Sequence, residues 1–298
     1  MKITVTGSLG NISRGLTAQL TAGGHEVRVI SSDAGKAAAI RQLQAVPLTG
    51  SVEDGDFVQK AFAGSDAVYL MVPPYFSTPD YGQFVEQVGK NYAAAVQQAG
   101  IQYVVNLSSA GSPLAGTPPL THYRNLEAAL DTLPHVNVLH LRPGGFYSNF
   151  YGSIPLVKHQ GIIGNNFAAD VPMALSHPAD IADAAAEALN TLSFTGRNVQ
   201  YIVSDWKTGK EIAQLLGEAI GQPALQWVHF SDEQLLEALL QNGFSASAAR
   251  HYVVDIGIAI REGLLEEHFR NNRYPVYGKR GFAEFALSFA AVYRDNMA

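Results

Sequence analysis

The sequence contains no cysteine. Disulfides, thiolate nucleophiles and cysteine-ligated metals are therefore excluded. No apolar run approaches the ~18 residues of a membrane span, so no membrane partner is expected. Basic residues are outnumbered, 20 Lys and Arg against 26 Asp and Glu, for a formal charge of −6. Nucleic-acid binders concentrate positive charge in a patch or stripe. The nearest approach here, Arg270, Arg273, Lys279 and Arg280, reads as solvated surface, and no direct nucleic-acid contact is expected. Nine histidines are present without HxxxH or HExxH spacing, which argues against a metal. Lys2 opens directly into a predicted strand and leaves no room for a signal peptide, which makes a cytoplasmic location the expectation.

The residues that are present suit an α/β protein. At 298 residues, 47% of them hydrophobic, the chain suits one α/β domain with an appended lobe. Apolar strands alternate with segments of helical period. Predicted strands begin at Ile3, His25, Ala45, Ala67, Tyr103 and Val136, and the fourth, Ala67 to Val72, is almost continuously apolar, as expected where both sheet faces are covered. Pro47 cannot donate a ladder hydrogen bond and places the third strand near an edge. This rhythm predicts a doubly wound parallel sheet with right-handed crossovers. Residues 1–145 are expected to form the nucleotide-binding domain, with a strand near 198–203 returning to it. Residues 146–298 are expected to form a smaller, mostly helical substrate lobe. Aromatics and glycines crowd 146–167 and suggest loops over a pocket, and one helix is predicted from about 245 to 264.

The first strand runs into Gly7-Ser8-Leu9-Gly10-Asn11-Ile12-Ser13 and then a helix. A strand, a glycine turn and a helix N-terminus together make a phosphate site, so Gly7 to Ile12 are expected to hold the pyrophosphate of NAD or NADP. Ser13 stands where the full three-glycine fingerprint has its last glycine. Val72, Pro73 and Pro74 after the fourth strand and Ser108 after the fifth are expected to complete the cofactor site. At the end of the second strand, Asp33 is placed to hydrogen-bond a ribose diol and favour NAD, or simply to cap the helix that follows. Arg14, Lys36, Ser31 and Ser32 would instead accept the 2′-phosphate of NADP. The two cofactors stand about even.

The segments Gly7 to Gly10, Leu107 to Ala110, His122 to Glu127, Leu141 to Phe150 and His177 to Ala182, with the helical tail, resemble the NmrA-like branch of the atypical short-chain dehydrogenases. The resemblance covers essentially the whole chain, and Arg142-Pro143-Gly144 is its most specific part. It implies an NAD(P)-binding Rossmann domain and either quinone or azo-type reductase activity or a redox-sensing role. Catalysis in the parent superfamily uses Tyr-x-x-x-Lys, the lysine lowering the tyrosine pKa. No tyrosine in this chain is followed by lysine four positions later, and Tyr123 is followed by Glu127. Ordinary carbonyl reduction, which must protonate a strongly basic alkoxide, is therefore disfavoured. Quinone reduction yields a far less basic phenolate, for which Tyr123, His122 or Ser109 is a sufficient donor.

Tyr75, Phe76 and Tyr81 after the fourth strand, with Phe146, Tyr147 and Phe150 after the sixth, are candidates to surround a flat apolar acceptor, the expected small-molecule partner. The expected function is hydride transfer from NAD(P)H to a small conjugated acceptor such as a quinone. The alternatives are a non-catalytic redox sensor acting through a protein partner and a sugar-nucleotide epimerase, which shares the fold but relies on the absent Tyr-Lys pair.

Overall fold

The computed structural model describes residues 1–114, 118–265, 267–273 and 276–295, with the backbone alone at 118–121 and 276. The chain divides into two compact units. The first comprises Met1–Pro74, Gly82–Arg142 and Ile181–Gln200; the second comprises Tyr75–Tyr81, Pro143–Asp180 and Tyr201–Ala298.

The first unit is built from β1 (Lys2–Val5), α1 (Ser13–Ala22), β2 (Glu26–Ser31), α2 (Ala37–Gln42), β3 (Val46–Thr49), α3 (Gly55–Phe62), β4 (Ala67–Leu70), α4 (Tyr81–Ala99), β5 (Tyr103–Leu107), α5 (Pro118–Asp131) and β6 (Asn137–Pro143). The central sheet runs β3-β2-β1-β4-β5-β6, followed by Arg197–Ile202 and, at the edge, the two-residue strand Val276–Tyr277. Pairing is parallel, with Val5 opposite Val29 on one side and Tyr69 on the other. This is the doubly wound Rossmann order, and its direction reverses between β1 and β4.

Local sequence explains these elements. Every residue of β4 is buried, which accounts for its unbroken apolar run. Pro47 sits on the edge strand β3, where its missing N–H costs least. The Asp54 carboxylate accepts the Phe57 N–H and caps α3. On α4 the period of Phe84, Val88, Tyr92 and Ala95 produces one buried face. Among the described residues, no helix is long and apolar enough to cross a membrane.

The second unit contains more strand than its sequence suggests. Gly145–Phe146, Pro172–Ser176 and Asp205–Thr208 form a three-stranded sheet, and Ile162–Asn165 pairs in parallel with Gln226–His229. The crowded stretch 146–167, read as loops, is instead a 3-10 segment, Tyr147–Ser153, a helix, Ile154–Gln160, and a strand. Two of its aromatics, Tyr147 and Phe167, belong to one apolar core with Ile212, Leu216, Phe282, Phe285 and Phe289. Two capping boxes, Thr208 with Glu211 and Ser231 with Gln234, start the helices Gly209–Ile220 and Asp232–Gln241. The helix expected over 245–264 is interrupted by a π-helical stretch, Ala249–Val254, between Ala246–Ala248 and Asp255–Arg261.

Asp180 ties this unit together. Its side chain is fully buried and accepts hydrogen bonds from the Ser204 hydroxyl (2.6 Å) and the backbone N–H groups of Lys279 (2.8 Å) and Arg280 (3.1 Å), and it pairs with the Arg280 guanidinium. Two of the four basic residues read as solvated surface are thereby engaged, one of them through its backbone alone. Burial opposes ionisation of Asp180, but these donors outweigh it and hold the carboxyl below its ordinary value. The stabilisation is complete above the unfolded aspartate pKa of ~3.9 and is lost as pH falls through the lower folded value. Asp180→Asn is expected to cost about 3 kcal/mol at neutral pH. Urea unfolding at a series of pH values should show that gap narrowing toward acid, and a constant gap would contradict the assignment.

Candidate functional site

The turn after β1 is held open on one side and closed on the other. Thr6 anchors it: its N–H donates to the Tyr69 carbonyl (3.1 Å), and its hydroxyl oxygen accepts the Met71 N–H (2.7 Å). Gly7 follows with φ +88°, and a Cβ there would lie 2.2 Å from Met71 Sδ, so conformation and space both require glycine. Ser8 also adopts positive φ, 55°, a strained state for a non-glycine residue. It is held by its N–H on the Ile30 carbonyl (3.0 Å) and its hydroxyl on Ser31 Oγ (2.9 Å). The Gly10 N–H returns to the Gly7 carbonyl (3.1 Å).

Ser13 does more than tolerate the third fingerprint position. It is fully buried, and its hydroxyl donates to the Thr6 carbonyl at 2.8 Å, bolting the start of α1 to the end of β1. Gly10 and Asn11 face solvent, Leu9 is half-buried and Ile12 is buried. No side chain caps α1, and no acidic residue lies in its first turn. The positive end of the helix dipole is thus left to an external anion. These residues fit a dinucleotide pyrophosphate.

Beside the loop, Ser31 is buried and exchanges hydrogen bonds with Asp33, accepting its N–H (3.2 Å) and donating to its carbonyl (3.1 Å). The Asp33 carboxylate accepts the Gly35 N–H (2.8 Å) and caps the 3-10 turn Ala34–Lys36. Ser32, Asp33 and Lys36, which follow β2, are exposed, as is Arg14 in the first turn of α1. After β4, Val72 is buried, Pro73 half-buried and Pro74 exposed.

After β5, Ser108 is buried with its hydroxyl 2.6 Å from Ser112 Oγ, while Ser109 is half-buried and accepts the Gly111 N–H (3.3 Å). His122 and Tyr123 are half-buried on α5. One helical turn on, Glu127 forms a buried bidentate pair with Arg142, whose Nε and Nη2 donate at 2.9 and 2.6 Å. The position four after Tyr123 is therefore committed to a structural ion pair, and the arginine of Arg-Pro-Gly has a structural task. Neither was foreseeable from spacing alone.

The six expected pocket aromatics all belong to the second unit. Tyr75 is exposed. Phe76 stacks on Phe244 at 4.6 Å, and both Phe76 and Tyr81 contact the Tyr252 ring, at 5.2 and 5.3 Å. Tyr252 lies in the π-helical stretch, a feature that sequence period does not reveal and that often marks functional positions. Phe146 is half-buried in its short strand. Tyr147 is wholly buried, donates its hydroxyl to the Arg280 carbonyl (2.9 Å) and packs edge-on against Phe282. Burial, reinforced by Asp205, Asp180 and Glu284, pushes its phenol well above the ordinary range. Phe150 also packs on Phe282. Phe76 and Tyr81 thus share the Tyr252 ring, Tyr147 and Phe150 share the Phe282 ring, and Tyr147 is a core residue.

Residues 1–277 match the NmrA-like family. Among solved structures, the fold is similar to an NADPH-dependent quinone oxidoreductase from Escherichia coli complexed with NADPH, at 20% identity and TM-score 0.76 over 95% of this chain and 98% of that one. It is also similar to the triphenylmethane reductase of Citrobacter sp. complexed with NADP(H), at 19% identity and TM-score 0.75 over 97% and 99%. A nucleoside-diphosphate-sugar epimerase from Staphylococcus aureus aligns at 17% identity and TM-score 0.78 over 96% and 100%. At these identities the likeness establishes the fold. No curated protein matches the chain by sequence.

Because removing one partner strands a buried charge, Glu127→Ala is expected to destabilise the protein by about 3 to 5 kcal/mol. Equilibrium denaturation measures this. A loss below ~1 kcal/mol, the range of an exposed pair, would show that Arg142 finds another partner.

Proposed function

The chain belongs to the NmrA-like family, and we propose that it is an NAD(P)H-dependent reductase that passes hydride to a small conjugated acceptor, a quinone foremost. The observation carrying this reading is the Gly7 to Ser13 turn. It lies at the carboxyl end of β1, where the sheet order reverses, and opens an uncapped helix N-terminus. The loop's backbone would hold the pyrophosphate, and Asp33 or the group Arg14, Lys36 and Ser32 would meet the adenosine ribose. The nicotinamide supplies the hydride when bound.

The chain's own contribution to the chemistry is a proton donor of modest strength. With Glu127 locked on Arg142, nothing at that position lowers the Tyr123 pKa as a lysine would. Tyr123, His122 and Ser109 remain candidate donors, adequate for an acceptor that leaves a phenolate-like anion. The Escherichia coli and Citrobacter proteins act on conjugated acceptors by name, which supports this substrate class. The same Glu127 pairing favours a second reading, a dinucleotide-binding redox sensor that acts through a protein partner without turnover. It weighs against a sugar-nucleotide epimerase, which would need the lysine.

Calorimetry with NADPH and NADH, followed by a quinone panel, tests the proposal. Acceptor-dependent oxidation of at least one cofactor is expected, and tight binding without turnover would leave the sensor reading standing in its place. Gly10→Glu, which sets bulk and negative charge against the pyrophosphate, should abolish binding while the far-ultraviolet spectrum is unchanged. Retained binding would mean that the cofactor lies elsewhere. Tyr123→Phe should lower kcat about 10-fold to 100-fold if this phenol is the donor, and an unchanged kcat would pass that role to His122 or Ser109.

A further inference from the structure

We propose that Met71 is a site of reversible oxidation by peroxide, and that its sulfoxide form weakens dinucleotide binding. The consequence for binding rests on the reading of the Gly7 to Ser13 loop as the dinucleotide site. Met71 directly follows β4 and is half-buried. Its backbone is fixed on both sides, the N–H donating to Thr6 Oγ1 at 2.7 Å and the carbonyl accepting the Tyr92 hydroxyl at 2.8 Å. The side chain therefore cannot leave the loop by a shift of the main chain. Its sulfur fills the space that Gly7 leaves by lacking a Cβ, and lies 3.8 Å from the Ser13 hydroxyl.

Oxidation changes this contact in two ways. The sulfur lone pair attacks one peroxide oxygen, and an S–O bond forms as the O–O bond breaks. The departing hydroxide takes the proton from the new S–OH and leaves as water, so that the thioether is oxidised to the sulfoxide and the peroxide is reduced. The added oxygen has no room on the Gly7 side, where even a Cβ would stand 2.2 Å from the sulfur. On the other side, it is a strong acceptor beside the Ser13 hydroxyl and competes with the Thr6 carbonyl for that proton. Either outcome disturbs the turn that positions the loop. Met173, by contrast, is 4% exposed within the apolar core of the second unit, shielded from oxidant.

The test uses the full-length protein with hydrogen peroxide as oxidant. Peptide mass mapping follows oxygen uptake at Met71, and calorimetry follows NADPH and NADH affinity before and after. Oxidised protein is expected to bind about tenfold or more weakly, and methionine sulfoxide reductases should restore affinity. Met71→Leu, which has no sulfur to oxidise, should show the same dinucleotide affinity before and after peroxide treatment. If that variant fails to fold, the oxidised and enzymatically repaired wild type still carry the comparison. The proposal is overturned if Met71 gains no oxygen under conditions that oxidise free methionine, or if the sulfoxide form binds unchanged. Absence of binding in untreated protein would instead overturn the dinucleotide reading, and with it the effect assigned to the sulfoxide.

Discussion

The junction of β1 with β4 depends on one side chain, Thr6. Its N–H donates to the carbonyl of Tyr69, the last β4 residue paired with β1, and its hydroxyl oxygen accepts the Met71 N–H, so the ladder is prolonged by a side chain where the main chain must turn away. This is the point at which the sheet order reverses, the place where open α/β sheets in general bind their ligands. The Thr6 carbonyl meanwhile receives the Ser13 hydroxyl. Strand, turn and helix are thus joined through consecutive polar groups of a single residue, and the strained Ser8 conformation is sustained by the rigidity this provides.

The Glu127 and Arg142 pair bears on chemistry as much as on stability. A helix position one turn from a candidate donor is a place from which a cation can tune that donor. Here it carries an anion already satisfied by two hydrogen bonds. Its partner is desolvated along with it, so neither charge is available for other work. Under the proposed function, this favours reactions whose products need little help in protonation. The same pairing is compatible with a protein whose output is the bound state itself.

Local features were legible in the sequence and distant ones were not. The capping boxes at Thr208 and Ser231, the edge position of Pro47 and the glycine turn all follow from rules acting over a few residues. The central sheet was legible because buried parallel strands leave unbroken apolar runs such as 67–70. In the second unit, Pro172–Ser176 and Asp205–Thr208 pair across an intervening helix and strand, and their short, mixed sequences carry little period. At 146–167, tyrosine and phenylalanine suggest a pocket because aromatic composition does not distinguish a wall from a core. Tyr147, buried with its hydroxyl satisfied, belongs to the core. Asp33 carried two readings, and the cap is the one its contacts display. The π-helical stretch at 249–254 leaves no compositional trace, since its extra residue per turn is a matter of backbone hydrogen bonding.

The contacts of Asp180 have a bearing on how the chain is made. Three of its four donors belong to residues 99 and 100 positions downstream. During synthesis, the helix that begins at Pro178 emerges long before residues 279 and 280 exist, and until then its acid lacks three of these four donors. The second unit can close around that carboxylate only once residues 279 and 280 have been made. A nascent chain halted before them would leave the Asp180 carboxylate with the Ser204 hydroxyl alone of these four donors.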